Sequence, residues 1–332
     1  EEALKNDGLP SQFSANDIEM YRKSAAGELS GLDAMLYPNV DWYDEVLKKS
    51  APAQRYNVSV RGGTKRMRYY ASAELYDQKG LIKELSQDMY GNSSSPSYRR
   101  YAFRANMDLF LTKDLTFSVN FGTRFEERRG SNTSESSTFS QTFYELNHTP
   151  SWLFPVSYEV QNGESTKTLY GGSSQYQSNI VAALAKGGYY RATNTINETN
   201  FILDYKMDWL TKGLSAKGMV SFDYDSYYKK MFKADFATYE LNDRDNYESM
   251  DAYNQFNSDG ELAYSKENST TYKLYMEAQV NYARQFGKHD VTAMALYNQN
   301  DYRYNSELAK RYQGLVGRVT YGYDDRYLAE FN

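Results

Sequence analysis

The feature that most constrains this chain is an alternation in turn length laid over an alternation in hydropathy. Segments in which apolar and polar residues take turns are joined by connections that are short, then long, then short again. The short ones fall at Gly62-Gly63-Thr64, Thr112-Lys113-Asp114, Leu210-Thr211-Lys212-Gly213, Gly287-Lys288 and Gly322-Tyr323-Asp324-Asp325. Between them lie long polar stretches at 77–97, 129–196 and 229–269, and a shorter one near 305–311. Hairpins with tight turns at one end and large loops at the other fit an antiparallel transmembrane β-barrel with long extracellular loops.

The alternation itself is read from side chains. Tyr101, Phe103, Ala105, Met107, Leu109 and Leu111 fall on one face, with Ala102, Arg104, Asn106 and Asp108 on the other. Leu115, Phe117, Val119, Phe121 and Phe125 oppose Thr116, Ser118, Asn120, Arg124 and Glu126. Phe201, Leu203, Tyr205, Met207 and Trp209 oppose Asp204, Lys206 and Asp208, and Leu274, Met276, Ala278, Val280 and Tyr282 oppose Lys273, Glu277, Gln279 and Asn281. Period two puts each set on one side of a sheet. A soluble sandwich would alternate in the same way, with the apolar face as its core. Three features favour the barrel. The segments run to about 12–15 residues, against about 5–6 for soluble strands. The turn lengths alternate by side. Aromatics close the apolar faces, with Trp209, Tyr282 and Tyr327 near short turns and Phe125 and Tyr224 near long loops, as an interfacial girdle would.

About ten strands are expected, near 56–62, 66–76, 98–111, 115–128, 197–209, 214–228, 270–285, 289–303, 312–322 and 326–332. The apolar set is expected to face lipid. The polar set, Arg104, Asn106, Asp108, Asn120, Asp204, Lys206, Glu277 and Gln279, is expected to face the lumen or hold a plug. Residues 1–55 differ: 16–22 and 42–48 read as short helices, the second capped by Asp41 with Lys48-Lys49 at its C-terminal end. This divides the chain into a connection over 1–55 and a partial barrel over 56–332. Both ends are abrupt, and the chain reads as an internal piece of a longer protein.

Composition narrows the function. The mean hydropathy is -0.79, and no run of about 20 apolar residues exists to form a transmembrane helix. A membrane barrel shows apolar residues only at alternate positions, so its average hydropathy stays low. The 34 Tyr suit strands, girdles and ligand-contacting walls. A net charge of -5 without a basic tract gives no nucleic-acid footprint. The absence of Cys removes disulfides, thiol catalysis and Cys-based metal sites.

Tyr37-Pro38-Asn39-Val40-Asp41-Trp42-Tyr43-Asp44-Glu45-Val46, Gln54 to Thr64, Arg68-Tyr69-Tyr70-Ala71-Ser72-Ala73 with Asp77-Gln78-Lys79-Gly80, and Tyr101 to Asp108 resemble the SusC/RagA family of TonB-linked outer-membrane transporters of Bacteroidetes. Arg318 to Asn332 resembles that family's strand-turn-strand. The resemblance implies a barrel of about 22 strands, an N-terminal plug, a TonB box, a SusD-like lipoprotein lid and a nutrient oligomer as cargo. A glycan is the first expectation and an oligopeptide the second. Plug and TonB box match nothing in this chain. The reading from another class is a secreted all-β binding or adhesion module. Enzyme activity and a cofactor are not expected.

Other constellations are weak. His148 and His289 lack converging partners for a metal or a triad; His289 is expected in a short turn. Asp243-Arg244-Asp245-Asn246 with Glu248 lacks the glycine and spacing of an EF-hand and reads as a solvated loop. Glu126 and Glu127 are adjacent on a strand, point to opposite faces and cannot flank one bond. In the longest loop, Trp152 and Phe154, with Tyr158, Tyr170 and Tyr176, are candidates for contact with cargo or lid. Packing of the loop on itself is the competing explanation.

Overall fold

A computed structural model describes residues 6–8, 13–85, 93–132, 136–163 and 165–332. Ten strands form one sheet in chain order: β1 (Ala53–Gly63), β2 (Met67–Lys79), β3 (Ser97–Phe110), β4 (Leu115–Ser131), β7 (Gly188–Lys206), β8 (Leu214–Lys233), β11 (Ala263–Phe286), β12 (His289–Tyr304), β13 (Lys310–Tyr323) and β14 (Tyr327–Phe331). Every neighbouring pair is antiparallel. The expected strands are all present, and β1 and β14 are the edges of the sheet.

The short turns fall where the glycines and polar residues foretold. Asp324 and Asp325 have φ of 51° and 55°, and the Arg326 amide donates to the Tyr323 carbonyl at 3.0 Å. Positive φ at both central residues makes a turn whose twist matches the flanking strands. Gly213 has φ +84°, and a Cβ there would stand 1.9 Å from the Ala283 carbonyl oxygen. Glycine is therefore required at that close approach.

Several expectations are corrected. β8 has 20 residues and β11 has 24, longer than the hydropathy pattern suggests. The connections shrink to 132–187 and 234–262. Beyond the apolar band charged and hydroxyl-bearing side chains enter both faces, so alternation fades while the hydrogen-bond ladder continues. β7 instead ends at Lys206, leaving Met207 and Trp209 in the turn. His289 begins β12 rather than lying in the turn, and its Nδ1 meets the Tyr321 hydroxyl at 2.6 Å.

The long connections carry helices α1 (Ala15–Ala25), α2 (Gly31–Leu36), α3 (Trp42–Val46), α4 (Ser136–His148) and α5 (Ile180–Lys186). They also carry two hairpins, β5 (Ser157–Asn162) with β6 (Ser165–Tyr170), and β9 (Thr238–Leu241) with β10 (Tyr253–Phe256). Asp41 caps α3, accepting from the amides of Tyr43 and Asp44 at 3.0 Å. That helix stops at Val46, because Leu47 bridges to Ile82. Lys48 turns its ammonium to the Gly80 carbonyl (3.2 Å) and the Ser95 hydroxyl (2.8 Å) rather than to the helix end.

Candidate functional site

Register decides which side chains share a face, and each ladder of the large sheet runs without a slip. One row reads Tyr69–Met107–Val119–Phe201–Val220–Met276 from β2 to β11. The row beside it, on the opposite face, reads Tyr70–Asn106–Asn120–Asn200–Ser221–Tyr275–Asn300. Every side chain in the second row can donate or accept a hydrogen bond. The sheet thus has an apolar face and a polar face from β2 to β11.

The polar positions singled out in the sequence all lie on this second face. Asp108 accepts from the Ser118 hydroxyl at 2.7 Å and pairs with Arg68 at 3.2 Å. Glu277 accepts from Lys217 at 3.3 Å and from the Tyr275 hydroxyl at 2.8 Å. Gln279 donates to Asn281 at 2.6 Å. Asp204 shares a row with Thr116, Lys217 and Gln279, and Lys206 stands opposite Ser215 at the end of β7. Arg104 shares a row with Glu198, Asp223 and Lys273. Nearer the long loops, Glu74 binds both Arg55 and Arg100. The carboxylates of Glu74 and Glu277 are largely covered while their cationic partners reach solvent; the consequence is a wall of fixed, mixed charge.

Three buried side-chain polar atoms among the described residues lack a partner: Arg100 Nε, Asn194 Oδ1 and Asn300 Oδ1. Register places all three on the polar face. Buried polar atoms are ordinarily satisfied, so this face carries unmet hydrogen-bonding capacity. Asn106 and Asn120 were legible in the sequence as lumen candidates, but the row they form with Asn200 and Asn300 needed the register.

At the other functional region, the long connections fold into two cores at one end of the sheet. Trp42 and Val46 of α3, Ile82, Leu146 of α4, Phe154, Tyr170 and the buried face of α5 form the first. Tyr158, Val160 and Leu169 join Ala237, Tyr239, Ala252 and Tyr253 in the second. Backbone bonds tie separate connections together: Val40 to Ser151 (2.9 Å), Gln161 to Glu248 (3.0 Å) and Gly172 to Tyr239 (2.9 Å), each amide donating to a carbonyl. Asn179 is the pin. Its Oδ1 caps α5 through the Ala182 amide at 3.1 Å, and its Nδ2 donates to the carbonyls of Val156 (3.0 Å) and Gly171 (2.8 Å).

The five aromatic candidates divide here. Phe154, Tyr158 and Tyr170 are buried in the two cores, and Tyr158 packs on Tyr253 with ring centroids 4.9 Å apart. They have no surface to offer a ligand, which corrects the expectation of contact: a loop assembly this large consumes its aromatics as core. Trp152 is half-buried, edge-on to Phe13 at 5.0 Å, with its carbonyl accepting from the Tyr21 hydroxyl. Tyr176 is half-buried and donates its hydroxyl to Glu145. Burial and that carboxylate push its phenol up to about 12. α5 is not among the helices expected from the sequence, although Ile180-Val181-Ala182-Ala183-Leu184-Ala185 is a continuous apolar run within the long polar stretch 129–196.

Among the described residues, no group of three His, Cys, Asp or Glu side chains gathers that could hold a metal ion. Asp243 is a turn carboxylate, accepting from the Asp245 amide at 3.0 Å and Asn246 Nδ2 at 2.6 Å; these bonds hold its pKa below the usual carboxylate range. The imidazole of His148 stacks on Tyr144 and its Nδ1 meets that residue's carbonyl at 2.9 Å.

No protein-family model matches the chain. A curated protein, TonB-dependent receptor P26 of Formosa agariphila, is 31% identical over 120 residues, which make up 34% of this chain and 11% of that receptor. The RagAB peptide importer in its open-open state is 16% identical with a TM-score of 0.62, over 95% of this chain and 35% of the importer chain. The closed-closed state gives 15%, 0.59, 93% and 35%. The chain thus spans about a third of the solved barrel chains it matches. Their likeness is one of fold: a ten-strand antiparallel wall, apolar on one face and polar on the other, with folded loops at one end. The chain thus has the fold of a stretch of the RagAB importer chain, and over 120 residues it is similar in sequence to a TonB-dependent receptor.

Proposed function

We propose that the protein to which this chain belongs imports a nutrient oligomer across the outer membrane. The cargo is a glycan, with an oligopeptide as the alternative. Import is driven by TonB through a plug and is assisted by a SusD-like surface lipoprotein. The apolar face meets lipid, the polar face meets plug and passing cargo, and the long-loop end is extracellular. The single observation that carries this reading is the distribution of burial. The large apolar side chains of the sheet are exposed, Phe103 at 46% and Leu203 at 44%, while the buried core lies almost wholly in the loops. A secreted binding module would need protein over that apolar face, and among the described residues none covers it. The unpartnered atoms of Arg100, Asn194 and Asn300 support a plug or cargo on the polar face. The peptide-importing neighbours support import as the activity; at their low identity they carry no weight on cargo.

Uptake tests the proposal. Cells expressing the full-length transporter take up a labelled oligosaccharide mixture, uptake stops when the inner membrane is de-energised, and Trp152→Ala lowers it while barrel assembly stays normal. Preferential uptake of a labelled peptide mixture moves the cargo to the alternative. Uptake of both mixtures unchanged by loss of the transporter sinks the proposal. Surface labelling of Lys113 or Lys288 on intact cells would reverse the orientation.

A further inference from the structure

One ladder row of the large sheet is almost entirely cationic. It runs Lys79–Ser97–Arg129–Arg191–Lys230–Lys266 across β2, β3, β4, β7, β8 and β11. Counting by twos along each strand places it on the apolar face: Arg129 follows Phe125 and Glu127, and Lys230 follows Val220, Phe222 and Tyr224. It therefore lies on the outside of the wall, beyond the apolar band, on the long-loop side. Lys79 and Arg129 stand four residues past Leu75 and Phe125, about 13 Å along the strand and about 10 Å along the normal of a wall tilted by about 40°. Lys230 and Lys266 stand six residues past Tyr224 and Tyr272, about 15 Å up on the same geometry. This is the level of lipid headgroups and their attached sugars, not of acyl chains.

The two faces of the sheet differ sharply here. On the polar face Tyr190, Ala192 and Lys229 are buried at the loop end, whereas Arg129, Arg191 and Lys230 on the outer face are exposed. The row below it holds Asp77, Arg99 and Glu127, and it balances part of the charge: Asp77 lies 3.4 Å from Lys79, and Glu127 binds Arg129. No carboxylate stands in the basic row itself. At its β2–β7 end the row is concave. Lys79, Ser97, Arg129 and Arg191 line a cavity of about 310 Å³ together with Lys48 and Tyr189, room for a phosphate with part of its sugar. Above the row, Tyr189, Phe232 and Tyr264 form an aromatic shelf, with ring centroids 4.7 and 5.2 Å apart.

We infer that this row is a binding site for the phosphorylated headgroup of an outer-leaflet glycolipid, with acyl chains on the apolar band below and sugars against the aromatic shelf above. Arginine forks and lysine ammonium groups are the side chains that recognise phosphate, and a cationic row continuous with a lipid-facing band collects anionic headgroups. The inference rests on the reading of the wall as outer membrane with its long loops outside.

The test uses the full-length transporter in detergent micelles, titrated with phosphorylated lipid A and, separately, with lipid A stripped of phosphate. The wild type is expected to bind the phosphorylated form at least about tenfold more tightly, and Arg191→Gln/Lys230→Gln to lose that preference. Lys113→Gln/Lys288→Gln, at the short-turn end, should keep it. Heat-modifiable migration of each variant on gels separates lost binding from lost folding; if the double variant does not assemble, Lys266→Gln alone is measured and should still weaken the preference. Equal binding of the two lipids by the wild type, or an unchanged preference in the assembled variants, overturns the inference. Labelling of Lys113 from outside would instead overturn the orientation beneath it.

Discussion

The sheet and the loop assembly obey opposite rules within one chain. In the loops, Phe154, Leu169, Ile180 and Leu184 are fully buried and the backbone is knitted across connections. In the sheet, Val58, Phe103, Phe125, Leu203 and Phe222 stand on an open surface, and ladder hydrogen bonds hold the structure. A protein surrounded only by water would not leave so broad an apolar band uncovered. Under the proposed function the contrast is one between two solvents. The loops fold as a small water-soluble domain folds, by hydrophobic burial. The wall is built for a medium in which its apolar face has nothing to escape from and only its backbone must be satisfied.

Breaking this contrast should be easiest in the loops. Phe154→Ala removes a side chain that is 1% exposed and packs edge-on to Trp42 at 5.7 Å. The cavity should cost the loop assembly about 3–5 kcal/mol. Limited proteolysis of the full-length protein should then cut the 132–187 connection while the barrel keeps its heat-modifiable migration. Phe103→Ala, on the lipid face, should leave both unchanged. If the two variants behave alike, the loops are not an independently packed unit.

The wall is broken by charge rather than by volume. Met107→Arg places a guanidinium in the lipid-facing band and should cost about 2–4 kcal/mol in folding titrations into lipid. Asn106→Arg, one residue away on the polar face, should cost much less. Equal costs would remove the assignment of the faces.

How far each region was legible follows from the same physics. The wall announced itself because one face of each strand is apolar and the other polar, so Phe103, Met107, Asn106 and Asp108 alternate as the backbone does. Where both faces turn polar, as in 265–269 of β11, the pattern vanished though the strand went on. The loop cores were mostly illegible. Their residues come from four separate connections, and Trp42, Ile82, Phe154 and Ile180 share no periodicity that could bring them together in the sequence. Phe154, Tyr158 and Tyr170 fill cores, because a side chain suited to stacking on a sugar is equally suited to core packing and the sequence does not distinguish the two. The basic row was invisible for another reason: its members are spread over 188 positions, from Lys79 to Lys266, and only antiparallel register aligns them.

Asn179 sharpens the view of the loops as one folded unit. It is wholly buried, and its side chain serves three backbone groups from three segments. Asn179→Ala should cost about 1–3 kcal/mol, because the Gly171 carbonyl loses its Asn179 donor along with the helix cap, while the Val156 carbonyl keeps the Gly171 amide at 3.0 Å. Asn179→Asp keeps the cap acceptor but loses both donors. It should recover none of the loss in protease resistance if the carbonyls dominate, and most of it if capping does.

The smallest effect expected is also the one confined most cleanly to the loops. Tyr176 keeps its proton to about pH 12 because burial and Glu145 disfavour the phenolate, whereas an unfolded tyrosine ionises near about 10. A folded pKa above the unfolded one means that the folded state holds the proton more tightly between these values. The stability from the Tyr176–Glu145 contact is therefore complete below about pH 10 and lost as pH rises towards 12. The phenol is only partly buried, so the loss is modest. Proteolysis of the loop assembly, compared between wild type and Tyr176→Phe, should diverge below pH 10 and converge by pH 12, with the barrel's gel migration constant throughout. A difference that persists unchanged to pH 12 would mean that Tyr176 supports the loops by ring packing on Phe154 alone, and that its hydroxyl contributes nothing to holding them.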